Sequence, residues 1–392
     1  MNNIDFLDNV ARIKENIYGT KLDDLEIDGN GLLWSFLVVS CNLSTFLPGL
    51  NAEDHYNMVQ NMQFHRSLSG ADLYFPSLLN NTRFYDKSDV LAKSKQTPHI
   101  FVSYHAGSYY MILRHLAMND NRFCVVAGDN YIRDYESFVQ DVYRDVPNSD
   151  TSALQIMSAH DPKLLLKLSK KLNDGVSVFF FIDGNSGTKQ NNFASDKNLL
   201  KIDFLHHHIY ARQGVALLAY LTKAPVATII AKRDKRLNNS VIIKPVNTDR
   251  LLAKKDRNHF VNSVTRKLYG ELERYLYKNY EQWSGWFYIH ELFDGEAETG
   301  PSTASAPETE YNNTPFVVSD AIRLIKHKDE SIFMVNRKSY EIMQIGSVLF
   351  DVLTFFRTPQ QVSTGQPLVL NGDVIGFDFV KELIALNLIK QA

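Results

Sequence analysis

Cysteine is scarce in this sequence. Only Cys41 and Cys124 occur among the 392 residues. Their spacing matches no metal-ligand motif, and one pairing is a poor basis for inferring an oxidising compartment. The scarcity favours a reducing cytoplasm, and a peripheral contact with the inner membrane stays open.

An excess of charge of one sign is also lacking. The chain has 42 basic and 44 acidic side chains, so its formal net charge is −2 with histidine neutral. Proteins that bind nucleic acid carry a basic field that attracts the phosphate backbone. The charge balance therefore argues against nucleic acid as a main partner.

The sequence predicts neither an export signal nor a membrane-spanning helix. Residues 1–14 include Asp5 and Asp8 and lack the basic-then-apolar order of a signal peptide. The most apolar early run, Gly31 to Cys41, has about half the length that a bilayer requires. We predict that this run forms a buried helix, and the alternative is a surface that touches a membrane.

The chain does have enough apolar material for a full core. Hydrophobic residues make up 44% of it and charged residues 22%, and the length suggests two or three folding units. Residues 1 to about 95 carry apolar side chains at helical spacing, such as Phe6, Val10, Ile13 and Ile17. A helical N-terminal layer is the prediction.

From His99 onward, short apolar runs alternate with helical patterns. The predicted strands are residues 99–104, 123–127, 176–182 and 225–231, with a further strand near the edge at 240–245. The predicted helices between and after them are residues 162–173, 211–222 and 258–280. Strands that are apolar on both faces and separated by helices are typical of a mostly parallel sheet flanked by helices. The fold class is therefore predicted to be α/β.

A change in composition divides the chain near its C-terminal end. Residues 294–315 are rich in Ser, Thr, Pro, Glu and Gly and have almost no large apolar side chains, so they cannot offset the entropy of ordering. We predict a body over 1–295, a flexible linker over 296–313 and a second domain over 314–392. Short strands followed by two helices, 346–356 and 377–388, predict a small α+β, winged-helix-like fold for that domain.

The segment HAGSY, His105 to Tyr109, has the clearest potential for chemistry. It follows an apolar strand and precedes a helix, which places it at the carboxyl edge of the sheet, where α/β folds bind ligands. His105 is a candidate general base because histidine titrates near neutral pH. Gly107 would let a substrate approach the backbone, and Ser108 would cap the helix. The alternative is a histidine that only satisfies a hydrogen bond at the strand end.

Two further segments offer groups that bind anions. The loop DGNSGTK, Asp183 to Lys189, has small residues such as Ser186 and Gly187 that could hold a phosphate with backbone amides, although a simple glycine turn explains it equally well. Lys232 and Arg233 follow a buried strand and could stabilise an oxyanion, or they could be solvated charges.

Four blocks between Lys95 and Phe293 resemble the lipid A late acyltransferase (HtrB-like) family of the lysophospholipid acyltransferase superfamily. The blocks are YHAGSYYMI, NDGVSVFFFIDGNSG, GVALLAYLTKAPVATIIAKRD and YEQWSGWFYIH, in the family's order. The resemblance implies that His105 is the catalytic histidine, with Asp183 and Arg233 as supporting residues, and matches 281–283 to the family's E-Q-W element. It also implies acyl transfer from a carrier-protein or coenzyme A thioester, with no bound cofactor.

One position departs from the family pattern. Tyr110 stands where the family has an Asp or Glu five residues after the histidine, the carboxylate that orients the imidazole. A replacement carboxylate, Asp183 or Asp129, could take over that role. Otherwise the acceptor is a strong nucleophile such as an amine, or catalysis has been lost.

An aromatic cluster and a histidine cluster are further candidate binding groups. Trp283 heads a run of aromatic residues that either seals the core or lines the wet edge of an acyl groove. The run His206 to His208 does not predict a metal site, because neighbouring side chains in a strand point to opposite faces.

The final 79 residues resemble PqqD-like peptide-recognition modules. The resemblance is carried by the strand order and by Tyr340, Ile342, Gln344 and Gly346 before a helix, with the glycine one residue early. It implies that a leader peptide adds as a strand beside the helices. The predicted peptide-binding residues are Lys338, Tyr340, Ile342, Phe377 and Val380. The alternative is a winged-helix module for dimerisation or DNA.

Both resemblances together favour an acyltransferase that modifies an amine or hydroxyl of a ribosomally made precursor peptide. The linker would hold a bound peptide near the cleft at about millimolar effective concentration. The alternatives are a glycolipid or lysophospholipid acyltransferase and a peptide-binding adaptor without catalysis.

Overall fold

The structure is a computed structural model, and it describes residues 3–21, 32–75, 78, 81–119, 121–133, 135–143, 151–184, 198–293, 314–326, 330–336, 342–363 and 365–392. The chain forms two compact units. The first comprises Met1–Thr20 and Gly49–Asp294, and the second comprises Lys21–Pro48 and Gly295–Ala392.

This division differs from the predicted one in residues 21–48, which belong to the second unit rather than to the body. The reason is the apolar character of the run that begins at Gly31. A helix that is apolar on all sides can pack against any partner, so its sequence does not say which unit buries it. The predicted linker, 296–313, lies outside the described residues.

The helices of both units alternate with strands along most of the chain. In chain order they are α1 (Asn3–Tyr18), α2 (Leu32–Phe46), α3 (His55–Asp72), α4 (Val90–Ser94), α5 (Tyr109–Met118), α6 (Asp129–Arg133), α7 (Tyr135–Tyr143), α8 (Leu164–Asn173), α9 (Gly214–Thr222), α10 (Asp249–Ala253), α11 (Arg257–Asn279), α12 (Ser347–Phe355) and α13 (Phe377–Ala385). Of these, α2, α12 and α13 belong to the second unit.

The strands of the first unit are β1 (Arg83–Tyr85), β2 (Ile100–Ser103), β3 (Phe123–Ala127), β4 (Leu154–Ser158), β5 (Ser177–Phe181), β6 (Leu199–Phe204), β7 (His207–Arg212), β8 (Val226–Arg233) and β9 (Asn239–Val246). Seven of them form one sheet in the order β1-β9-β8-β2-β5-β3-β4. Among the described strands of this sheet, β8 and β9 pair antiparallel and all other neighbours pair parallel. The predicted mostly parallel sheet flanked by helices is confirmed.

The register of the sheet brings the ends of its central strands level. Ser103 pairs with Phe181 across β2 and β5, and Ala127 pairs with Ser158 across β3 and β4. Every residue of β2 is buried, because helices cover both faces of the sheet. The carboxyl ends of β2, β5, β3 and β4 therefore lie along one edge of the sheet.

Besides β4, two elements of the first unit carry no strand prediction. The short strand β1 has mostly exposed side chains and the sequence RFY, which shows no apolar alternation. The hairpin β6–β7 turns at Leu205 and His206, both with positive φ. Turns of that kind favour Asn or Gly, so a Leu-His turn has no typical sequence pattern.

The second unit combines small antiparallel sheets with helices. Its strands are β10 (Pro315–Val318), β11 (Ile322–Lys326), β12 (Ile332–Asn336), β13 (Ile342–Ile345), β14 (Gln360–Gln361), β15 (Leu368–Leu370), β16 (Asp373–Ile375) and β17 (Ile389–Gln391). They form the sheets β11-β12-β13 and β14-β10-β17 and the hairpin β15–β16. Helices α12 and α13 contribute buried side chains to a common core, including Val352, Leu353, Val380 and Leu383.

Helix α2 packs on the sheet β11-β12-β13. The Trp34 ring meets the Phe333 ring edge-on at 5.8 Å, and the Arg323 guanidinium donates to Ser44 Oγ at 3.2 Å. Most apolar side chains of α2 are buried, so the predicted buried helix is confirmed. In the described part of the chain, no helix combines the length and apolarity needed to cross a bilayer.

Candidate functional site

The loop that carries His105 is held in an unusual backbone conformation by Gly107. Its φ is +58°, and a Cβ at this position would lie 2.6 Å from the Ala231 carbonyl oxygen. Only glycine avoids both the left-handed strain and the clash with β8. This close approach fixes the loop between the end of β2 and the start of α5.

His105 and Asp183 form a hydrogen-bonded pair. The imidazole Nδ1 lies 2.9 Å from Asp183 Oδ1, and the His105 backbone N–H donates to Asp183 Oδ2 at 2.8 Å. The Asp183 side chain is 1% exposed, whereas the His105 side chain is 25% exposed. The pair therefore has a buried carboxylate and an accessible ring.

This arrangement selects one tautomer of His105. An ionised carboxylate only accepts hydrogen bonds, so Nδ1 carries the proton and Nε2 keeps its lone pair for an incoming proton. The Phe181 ring stacks on the imidazole with centroids 4.6 Å apart. The Tyr288 hydroxyl lies 3.4 Å from Nδ1, and burial, aided by the Asp183 charge, raises the Tyr288 pKa well above its usual value. Tyr288 therefore stays neutral beside the pair.

Residues 282–284 hold the His105–Asp183 pair in place through hydrogen bonds. Trp283 Nε1 donates to Asp183 Oδ2 at 2.7 Å, and the Ser284 N–H donates to the His105 carbonyl at 2.9 Å. The Gly107 N–H donates to the Gln282 carbonyl at 3.0 Å. Trp283 is only 3% exposed, so it positions the carboxylate and offers little surface to a substrate. The E-Q-W element is thus a structural support for the histidine loop.

Arg233 lies in a buried ion pair. Its guanidinium Nη2 donates to Asp72 Oδ2, Nη1 donates to the His65 carbonyl at 3.2 Å, and both charged side chains are fully buried. Burial raises the Asp72 pKa, although Arg233 and the Ser108 hydroxyl oppose that shift. Arg233, which was predicted to bind an anion, therefore pairs with Asp72 instead. Asp72 lies 161 residues away in the sequence and was not predicted as its partner.

Gln282 connects this ion pair to the histidine loop. Its side-chain Nε2 donates to the Arg233 carbonyl at 2.7 Å, and its Oε1 accepts the Arg233 backbone N–H at 2.8 Å. The side-chain amide thus pairs with β8 as a neighbouring strand would. The backbone of the same residue accepts from Gly107, so β8 and the histidine loop are bound through Gln282.

Ser108 does not cap α5 with its side chain, which corrects the expected role. It is the N-cap residue by position, but its hydroxyl lies 2.6 Å from Asp72 Oδ2 and 2.7 Å from Asn239 Oδ1. The hydroxyl is turned inward to donate to the buried Asp72 carboxylate, so its oxygen does not accept from a backbone N–H at the start of α5.

Tyr110 and Asp129 occupy places away from the His105 ring nitrogen. Tyr110 packs in an aromatic group with Tyr109 at 4.4 Å and Phe138 at 6.5 Å between centroids. Asp129 accepts from Ser158 Oγ at 2.5 Å and lies 3.2 Å from His160 Nδ1. Of the two carboxylates expected as replacements for the one missing at Tyr110, the structure brings Asp183 to His105.

Several predicted residues fall outside the described part of the chain, namely Ser186, Gly187, Lys338 and Tyr340. In the second unit, Ile342 and Phe377 are half-buried, and Val380 is 1% exposed within the core.

The residues described include no group of three His, Cys, Asp or Glu side chains that would hold a metal ion. In the run of histidines at 206–208, His208 Nδ1 pairs with Asp203 Oδ1 at 2.9 Å.

No protein-family model and no curated protein matches the chain.

Proposed function

We propose that this protein transfers an acyl group from a thioester donor to an amine or hydroxyl, with His105 as general base. The observation that carries the proposal is the 2.9 Å contact between His105 Nδ1 and the buried Asp183 carboxylate. It orients an imidazole with a free Nε2 at the carboxyl edge of a parallel sheet, where α/β proteins bind ligands.

In the proposed reaction, Nε2 of His105 removes the proton of the acceptor N–H or O–H as the acceptor attacks the thioester carbonyl. The new bond forms between the acceptor atom and the carbonyl carbon, and a tetrahedral oxyanion results. Collapse of that intermediate breaks the carbon–sulfur bond, and the imidazolium returns its proton to the thiolate. Asp183 stabilises the positive ring between the two proton transfers.

The acceptor we propose is a precursor peptide that binds the second unit. Strand β13 pairs with β12 on one side, and among the described strands none pairs with its other side. Open backbone amides and carbonyls let an extended peptide add as a further strand. Met343 on β13 is 50% exposed and would contact such a peptide.

Mass spectrometry of an acceptor incubated with acyl-thioester donor tests the transfer step. The wild-type protein should add the mass of one acyl chain. His105→Ala and Asp183→Asn should slow transfer by about 10²- to 10⁴-fold, the range typical for loss of a general base or its orienting carboxylate. His208→Ala is a matched control, because His208 also pairs with an aspartate. Equal rates in His105→Ala and His208→Ala would refute the proposal.

Recruitment is tested with the full chain and a precursor peptide encoded near its gene. Met343→Asp should lower kcat/KM for the whole precursor and leave the rate with a leaderless acceptor unchanged. Leu386→Asp is the control, since Leu386 is also exposed in the second unit but lies beyond α13. Equal kcat/KM for the precursor in the wild type, Met343→Asp and Leu386→Asp would argue against docking at β13.

A further inference from the structure

A row of four ionisable side chains lies along the carboxyl edge of the seven-stranded sheet. His105, Asp183, Asp129 and His160 are each the second residue after the end of their strands, which are β2, β5, β3 and β4. These strands are neighbours in that order. The row therefore runs His-Asp-Asp-His, with one His–Asp pair at each end.

The second pair has its own supporting contacts. His160 Nδ1 lies 3.2 Å from Asp129 Oδ2, and Ser158 Oγ donates to Asp129 Oδ1 at 2.5 Å. The same Ser158 oxygen accepts the His160 backbone N–H at 3.0 Å. Hydrogen bonds from Ser158 and His160 lower the Asp129 pKa, so this carboxylate is ionised and accepts from Nδ1. The other ring nitrogen, Nε2, points away from it.

Exposure makes the histidine of the second pair accessible to an anion from solvent. The His160 side chain is 44% exposed and that of Asp129 is 62% exposed, in contrast to the buried carboxylate of the first pair. Arg133 is close enough for its charge to act on Asp129. Nearby, Asp161 is already occupied by an ion pair with Lys167. A phosphate could approach His160 Nε2 from solvent and accept a hydrogen bond from it in the doubly protonated ring, in which both nitrogens are donors, with the Arg133 charge nearby.

The position of His160 relative to His105 fits one kind of ligand. Strands β2 and β4 are three inter-strand steps apart, which corresponds to about 14 Å along the edge. A thioester carbonyl at His105 is attached to a long pantetheine arm that ends in a phosphate. We propose that His160, oriented by Asp129, binds the phosphate of the pantetheine arm of the donor. This inference rests on the proposed acyl transfer, and the phosphate is common to coenzyme A and acyl carrier protein.

Binding of two small probes to the full-length protein tests the subsite. In calorimetric titrations, the wild type should bind 4′-phosphopantetheine more tightly than pantetheine, which lacks the phosphate. His160→Ala should weaken phosphopantetheine binding by about 10-fold, as expected for loss of a charge-assisted hydrogen bond, without changing pantetheine binding. Asp129→Asn should give a smaller loss. His160→Gln, which keeps a polar side chain, repeats the test if the alanine variant is unstable.

His208→Ala is the matched control for this experiment. His208 and Asp203 also form an exposed pair, with 49% and 79% of their side chains accessible, but they lie on the β6–β7 hairpin and outside the row. Equal losses in His160→Ala and His208→Ala would overturn the subsite. So would the absence of any preference for the phosphate in the wild type.

Measurements on the same proteins distinguish failure of the phosphate subsite from failure of the proposed acyl transfer. If acyl transfer occurs but His160→Ala binds phosphopantetheine normally, the phosphate subsite is refuted and the proposed acyl transfer remains supported. If no variant transfers an acyl group but the His160-dependent preference for phosphate remains, the reaction fails and the phosphate site stands. Repeating the titrations with coenzyme A and with holo-acyl carrier protein identifies the source, because the true donor should lose affinity in His160→Ala.

Discussion

Trp283 donates its indole N–H to the same Asp183 oxygen that accepts the backbone N–H of His105. The carboxylate is therefore held on one oxygen by two donors, while its other oxygen faces the imidazole. Rotation of the carboxylate away from His105 would break both bonds. Trp283 thus acts on the imidazole through Asp183, as a positioning residue.

Trp283→Phe should reduce kcat for acyl transfer by about 10- to 100-fold, because one hydrogen bond to a charged group is lost and the ring is kept. Its pH–rate profile should also move, since the carboxylate that stabilises the imidazolium loses a fixed orientation. Trp286→Phe is the control. Trp286 is also buried, but its indole donates to the Tyr280 carbonyl at 2.8 Å. Similar kcat values in the two variants would contradict the role given to Trp283.

Gly107→Ala should destabilise the fold, because the new Cβ meets the Ala231 carbonyl at 2.6 Å in a left-handed conformation. We expect a loss of about 1–3 kcal/mol in the free energy of unfolding. Gly270→Ala provides the contrast, since Gly270 lies within α11 and a Cβ there has nothing within 4 Å. That variant should gain about 0.5–1 kcal/mol. Urea denaturation measures both, and equal effects would refute the strained-loop argument.

The buried ion pair predicts a non-additive pair of substitutions. Asp72→Ala leaves the Arg233 guanidinium buried without its carboxylate and should cost about 3–5 kcal/mol. The double variant Asp72→Ala with Arg233→Met removes both charges and should be more stable than Asp72→Ala alone. Chemical denaturation of the wild type, both single variants and the double variant completes the cycle. Strict additivity would show that the two groups are not coupled.

Stability should fall as the solution is acidified from neutral pH. Burial lowers the pKa of His115 to about 4, below its ordinary value of 6.5. Between these values the unfolded chain binds a proton that the folded protein excludes, so stability is lost as pH falls through 6.5 towards 4. His115→Phe retains the stacking on Phe84 and should reduce this dependence, to which His65 and His290, whose pKa values burial also lowers to about 4, contribute as well. His259→Phe, at an exposed site, should leave the pH dependence of stability unchanged. Thermal unfolding of the wild type and both variants at pH 4.5 and pH 7 measures the difference.

The sheet could be predicted from sequence because its strands are short, apolar runs separated by helical patterns. Burial on both faces requires such runs, and Val178 and Phe179 in β5 are examples. The same reasoning missed β4, LQIMS, whose side chains are mostly half-buried and whose pattern is mixed. His160 was missed with it, since its position is recognisable only as the second residue after that strand.

The site itself was predictable in part. A histidine and an aspartate that each follow a buried strand can be expected at the same edge of a parallel sheet. Local sequence could not indicate that Arg233 pairs with Asp72, because the two are 161 residues apart and Asp72 ends a helix with no distinguishing pattern. Tyr110 was informative in another way, because the resemblance places a carboxylate at that position and its absence led us to expect one from elsewhere in the chain.

The placement of α2 with the C-terminal strands has a consequence for synthesis on the ribosome. Trp34 is translated well before the sheet that it packs on, because Phe333 lies 299 residues further along the chain. The apolar helix α2 therefore leaves the ribosome without its native partner and needs a chaperone or transient contacts until that sheet has been made. A chain that stops before residue 314 would leave that helix without its native partner, and such products should aggregate or be degraded rather than persist as a shortened protein.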